Sequence, residues 1–195
     1  ADESKIYGVG DYIAAAFSAN SGTDTTSLTA KIFEKKYSKT FSIAIKNAAI
    51  GDFQECALLG LMLSKTIGSA TAANKVLAGV TADNLLDSEF TNVRSKNGTV
   101  YNTLANTAIT YGGTMGDGSF IDTRMGIDWI KSNVQTNVVN ILLTNDVVPM
   151  STQGIEMVKG TVKASLLEGA KAGILDEASI IVTAPELSEI SPADR

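Results

Sequence analysis

The stretch Ile121-Asp122-Thr123-Arg124-Met125-Gly126-Ile127-Asp128-Trp129-Ile130 opens the strongest helical pattern in the chain. Ile121, Met125, Trp129, Val134, Val138, Ile141 and Leu142 recur mainly three to five residues apart, which predicts a stripe facing a core along about six turns, with Trp129 as an anchor. Asp122 stands at the start, where a carboxylate accepts free amides and offsets the helix dipole. Asp128 lies four residues after Arg124, a surface pair worth about 0.3–0.5 kcal/mol. Downstream, Pro149 ends the pattern. Ser151 or Thr152 caps a second long helix carrying Ile155, Val158, Val162, Leu166 and Ala170, with Gly173 at the left-handed C-terminal position. The connection is short, so the two helices are expected to pack as an antiparallel hairpin. Ile180 to Thr183 reads as a strand before Pro185 and Pro192 break regular structure.

Upstream the period changes. Ser27 caps a short helix with Leu28, Ile32 and Phe33, and Ser38 and Lys39 end it. From Thr40 to Lys46, Phe41, Ile43 and Ile45 alternate with Ser42, Ala44 and Lys46, the pattern of a half-buried strand. Asp52 then caps a helix through Phe53, Ala57, Leu61 and Met62, ending near Gly68; its apolarity predicts burial on several sides. After Gly79, in a connection, Leu85, Leu86, Phe90 and Val93 keep helical spacing up to Asn97-Gly98. Thr99–Leu104 and Thr107–Gly112 read as an antiparallel ribbon turning at Ala105 and Asn106. The expected class is α/β (α+β): a mixed β-sheet flanked by helices, with the long antiparallel helix pair near the C-terminus.

Composition removes several functions. The chain has 195 residues, 44% of them hydrophobic and 19% charged, enough for a packed core. Its longest strongly apolar run, Cys56 to Leu63, falls far below the roughly 20 residues of a membrane span. Ala1 to Lys5 lack the basic-then-apolar pattern of a secretory signal, which predicts cytosolic synthesis. A net charge of −5 opposes general attraction to nucleic acid. With no histidine, the commonest general base and metal ligand are absent, and the single cysteine, Cys56, reads as a buried small hydrophobe. The glycines at 112, 113, 116 and 118 lack the Gly-Lys-Ser/Thr ending of a phosphate loop and read as a flexible bend. Asp117, Asp122 and Asp128 do not follow a calcium-loop spacing. No catalytic residue, cofactor or metal site is expected. The rival reading, a small enzyme working through those carboxylates, rests only on the glycine-rich approach to a helix.

Gly118-Ser119-Phe120-Ile121-Asp122, followed by Gly126-Ile127-Asp128-Trp129-Ile130, resembles the contractile tail sheath family of bacteriophages, in its uncharacterised phage-protein branch. The likeness continues through Pro149, Gly154 and Glu168-Gly169-Ala170-Lys171-Ala172-Gly173-Ile174. Upstream it covers Leu77-Ala78-Gly79-Val80-Thr81-Ala82-Asp83 and Lys96-Asn97-Gly98-Thr99-Val100-Tyr101. These stretches stand in family order over roughly residues 27 to 182. Met150-Ser151-Thr152-Gln153 and Gly98 depart from the family pattern.

The resemblance implies a sheath-like globular domain over 27–184, an N-terminal extension over 1–26 and a truncated linker over 185–195. It implies a fragment whose terminal arms, which lace neighbours together, lie outside the chain. It implies a subunit of a helical sheath in the virion tail, assembled in the host cytoplasm, whose partners are copies of itself, the tube protein and the baseplate, with no nucleic acid and no membrane insertion. A bacterial injection system or bacteriocin sheath is the alternative machine. Gly79, Asp122, Asp128, Trp129, Pro149, Gly154 and Gly173 are its motif residues. Charge is uneven, with Lys31, Lys35, Lys36, Lys39 and Lys46 in one segment and Asp176, Glu177, Glu186, Glu189 and Asp194 towards the end. Lys31, Lys35, Lys36, Lys39, Asp176, Glu177, Glu186 and Glu189 are therefore the candidate subunit contacts.

Overall fold

Tyr7–Asp11 (β1) and Thr40–Ala44 (β2) pair in parallel, Tyr7 opposite Thr40 and Asp11 opposite Ala44. This computed structural model describes residues 5–46 and 52–185. Between the strands lie Ala15–Ser18 (α1) and Leu28–Glu34 (α2). Ser27 caps α2 as expected, its Oγ accepting Ala30 N–H at 3.1 Å. Residues 1–26, read as an extension, thus supply a paired strand and a helical turn.

Every residue of β2 is buried, not one face of it. Phe41, Ile43 and Ile45 enter a cluster with Leu58, Met62, Leu77, Tyr101, Met115 and Ile121. On the opposite face, Ala44 joins Ala16, Phe17, Leu85, Val93 and Val100. Ser42 and Ala44 looked solvent-facing because they are small or polar; their size is what lets a second layer approach.

Gln54–Leu63 (α3) lies against the strands through Gln54, Leu58 and Met62, spaced four apart, while Cys56 and Leu63 are exposed. Burial on several sides and a buried Cys56 are both corrected, because packed structure covers only one face of α3. Asp52 does not cap α3. Its carboxylate accepts Thr81 N–H at 3.0 Å while Gln54 donates to Thr81 C=O at 2.7 Å, clamping the 81 region to the helix start.

Asp87–Arg94 (α4) follows, its first turn closed by Glu89 accepting Leu86 N–H at 3.0 Å. Val100–Leu104 (β3) and Thr107–Tyr111 (β4) form the expected ribbon, with Ala105 (φ 46°) and Asn106 (φ 67°) as the central pair of its turn. Thr99 N–H bonds Ser42 C=O and Ala44 N–H bonds Thr99 C=O, linking the two small sheets. The glycine-rich stretch is held, not loose: Gly116 N–H bonds Thr40 C=O at 2.9 Å, and a Cβ on Gly116 would meet the Ile32 carbonyl oxygen at 2.6 Å.

Two compact units are present, Ala1–Met125 and Gly126–Arg195. Ile121–Thr144 (α5) starts in the first and continues in the second, where Thr152–Lys171 (α6) packs against it. The class is α+β with a C-terminal helix pair, as read from the sequence; the described strands form two small sheets rather than one mixed sheet. Ile180–Thr183 is not a strand. A 3-10 turn at Glu177–Ser179 precedes it, and no described strand pairs with it.

Candidate assembly surfaces

In the second unit the α5–α6 seam is built from small and polar side chains. A Cβ on Gly169 would sit 3.3 Å from Ile130, and one on Gly126 would come within 2.7 Å of Ile174. Asn133 donates to Glu168 at 2.8 Å and Asn137 to Ser165 Oγ at 2.9 Å. The pairings run in opposite directions along the two helices, the geometry of an antiparallel hairpin. Gly154 is locked in place, since any Cβ there would fall 2.0 Å from the Pro149 carbonyl oxygen. The α6 end is a Schellman motif: Gly173 (φ 79°) donates to Ala170 C=O and Ile174 N–H to Gly169 C=O. The sequence placed Gly173 there correctly.

The stripe expected to face a core mostly does so: Ile121 and Ile141 are buried, Met125, Trp129, Val134 and Val138 half-buried, and Leu142 alone of the seven exposed. Beside it Val139 and Leu143 are exposed, and so are Val147 and Met150 in the connection to α6, Leu143 at 75% and Val147 at 76%. Sequence reasoning missed this exposure, although a signal existed. Val138-Val139 and Ile141-Leu142-Leu143 are adjacent apolar residues, and at 100° per residue they cannot share one side of a helix.

Lys31, Lys35 and Lys36 are exposed on and just after α2, and Lys39 is half-buried. Lys46 is engaged by Glu89, whose carboxyl it holds below the usual range. Asp176 and Glu177 are exposed, and Asp176 Oδ1 accepts Ala178 N–H at 3.2 Å. Glu186 and Glu189 lie outside the described residues, as do Pro192 and the 186–195 stretch.

Asp117 is bound within its own turn and by an ion pair. Asp117 accepts Ser119 N–H (2.9 Å) and Oγ–H (2.6 Å) and Arg124 Nη2–H (2.7 Å). Burial pulls its carboxyl upward, but these bonds outweigh it and hold the group below its ordinary range. Arg124, read beside Asp128 from helical spacing, also donates to Ser119 Oγ through Nε at 3.1 Å. Asp122 occupies the first turn of α5 as expected and lines an open cleft with Thr71, Asn74, Gly113 and Phe120. Gly79 sits in its connection with φ 76°. Among the described residues, no three of His, Cys, Asp and Glu converge to hold a metal ion, and no helix is long and apolar enough to cross a membrane.

The pairing of Lys96 with Asp24 was missed altogether. They form a fully buried ion pair at 2.7 Å. Residues so distant in sequence carry no local signal of their meeting.

In comparison with known families, residues 121–183 fit the family described as E217 tail sheath protein gp31-like, C-terminal domain. No curated protein matches the chain. The likeness to phage tail sheath proteins read from the sequence is thereby supported over residues 121–183.

Proposed function

From a tail sheath domain at residues 121–183, we propose that the chain is a structural subunit of a contractile phage tail sheath, polymerising helically around the tail tube. In this reading contraction of the lattice drives the tube through the host envelope, and the chain catalyses nothing and needs no cofactor. Its partners are copies of itself, the tube protein and the baseplate, and its place is the virion tail after assembly in the host cytoplasm. The family match carries the reading. It falls on the helical hairpin, where Leu142 and Leu143 at the end of α5 and Val147 and Met150 in the connection are exposed. Apolar area of this kind gains about 25 cal/mol per Å² when a neighbouring copy covers it. The lysines 31, 35, 36 and 39 and the acids Asp176, Glu177, Glu186 and Glu189 would set register between copies more than add affinity.

Work in such a lattice comes from packing differences between two arrangements of the same subunits, without nucleotide hydrolysis. Electron microscopy of the complete gene product tests the proposal. Hollow tubes or sleeves on tails are the expected result; monodisperse monomers persisting under assembly conditions would refute it.

A further inference from the structure

The chain between the first two strands makes a closed excursion, and one carboxylate holds both ends of it. Asp11, fully buried at the end of β1, accepts Ile13 N–H through Oδ1 at 3.1 Å and Thr29 N–H through Oδ2 at 2.7 Å. Residues 13–28 therefore leave and re-enter the body at neighbouring points, in the manner of a compact surface loop. Within the excursion, α1 is a single turn of four residues, too short to sustain itself as a helix.

One ammonium holds the excursion in place. Lys96, just beyond α4, is 1% exposed. Its Nζ donates to the carbonyls of Ala16 (2.8 Å) and Ala19 (2.7 Å) and to Asp24 Oδ2 (2.7 Å), with Ala15 C=O at 3.3 Å sharing a proton. Asp24 in turn accepts Thr26 N–H, Ser27 N–H and the Ser27 hydroxyl. Two more polar bonds come from the same end of α4: Asn92 Nδ2–H to Phe17 C=O at 2.7 Å, and Ser21 N–H to Ser95 Oγ at 3.1 Å.

Apolar attachment is small by comparison. The excursion gives only Ala16 and Phe17 to the cluster behind β2 and none of its residues to the buried set of the larger cluster in front of it. A desolvated ammonium has no stable halfway position, because partial withdrawal removes its oxygen partners before water replaces them.

We propose that residues 13–28 are a strap that opens as one unit when the Lys96 ammonium leaves its cage of carbonyl and carboxylate oxygens, with Asp11 as the hinge and both sheets left folded. Opening uncovers Ala44, Leu85, Val93 and Val100, so the lysine gates an apolar surface behind β2. This holds whether or not the chain is a sheath subunit.

Native-state hydrogen exchange on the full chain tests it. The amides of Phe17, Ser18, Ala19 and Asp24, all bonded within the strap, should exchange together, at least about tenfold faster than Ala44 and Thr99 and with weaker denaturant dependence. In Lys96→Met the strap amides should accelerate about tenfold more, while Ala44 and Thr99 stay within about twofold. Strap amides that exchange in the wild type only at the global unfolding rate would overturn the proposal. So would a Lys96→Met chain in which strap and sheet accelerate alike, or which no longer folds, because the strap would then be inseparable from the sheet.

Discussion

Asp24 shows what a single buried group can decide. Burial pushes its carboxyl pKa up, yet bonds from Lys96, from the Ser27 hydroxyl and from the amides of Ser27 and Thr26 outweigh this and leave it well below the ordinary range. A carboxyl depressed in the folded state contributes stability that is complete above its unfolded pKa, about 3.9, and is lost as pH falls toward the folded value. Wild-type melting temperature should therefore hold between pH 7 and about 5 and decline below about pH 4. Asp24→Asn should lose about 3 kcal/mol at pH 7, since one half of a buried pair is removed, and should approach the wild type as pH drops. Thermal melts across that range check both, and an unchanged gap at acid pH would refute the linkage. Sequence reading reached only part of this scale. Ser27 and Gly173 were legible because capping and left-handed turns are local chemistry, whereas Cys56 was misplaced because its neighbours are apolar but its side of the helix is uncovered.

At the scale of elements, periodicity identified type more readily than environment. The ribbon of β3 and β4 was visible from its alternation and short turn, but the turn carries a strained residue. Ala105 adopts φ 46°, a conformation that costs a side-chain-bearing residue about 1 kcal/mol relative to glycine. Ala105→Gly should accordingly raise stability by up to about 1 kcal/mol in denaturant titration, and a loss would mean the turn is set by contacts other than its own backbone. The opposite case is Gly154, where alanine would drive a Cβ into the Pro149 carbonyl. That substitution should cost about 1–3 kcal/mol, read as a lower melting temperature of the hairpin. The exposed apolar residues at the end of α5 and in the connection to α6 make a different demand. Leu143→Lys with Met150→Lys alters exposed positions only, so the melt should move by less than about 0.5 kcal/mol per site. Under the sheath reading, sedimentation should nevertheless show impaired polymerisation.

For the whole molecule, the test is whether surface charge organises assembly. Lys35→Glu with Lys36→Glu should leave the thermal melt unchanged, as both side chains are exposed, and should impair tube formation in a salt-sensitive manner. Normal tubes from that variant would end the role assigned to the basic segment. The first unit also holds a strand that local pattern does not announce. Residues 7–11 carry two glycines and little apolar pattern, yet they form β1 by bonding along β2. Gly8 has no room for a Cβ against Phe41, so what looked like weak strand propensity is a packing requirement.

By itself the sequence determined the position of β2, the Ser27 cap, the ribbon and its turn, the C-terminal helix pair and the likeness that the 121–183 match supports. All of these depend on residues within a few positions of one another, where backbone sterics and hydrogen bonding operate without the rest of the chain. Only the tertiary structure decided that β2 is covered on both faces, that the apolar residues beside and beyond the α5 stripe are open to water, and that Lys96 closes on Asp24. Burial and ion pairing are set by which distant surface arrives opposite a residue, and that arrival is a property of the folded chain rather than of any local stretch.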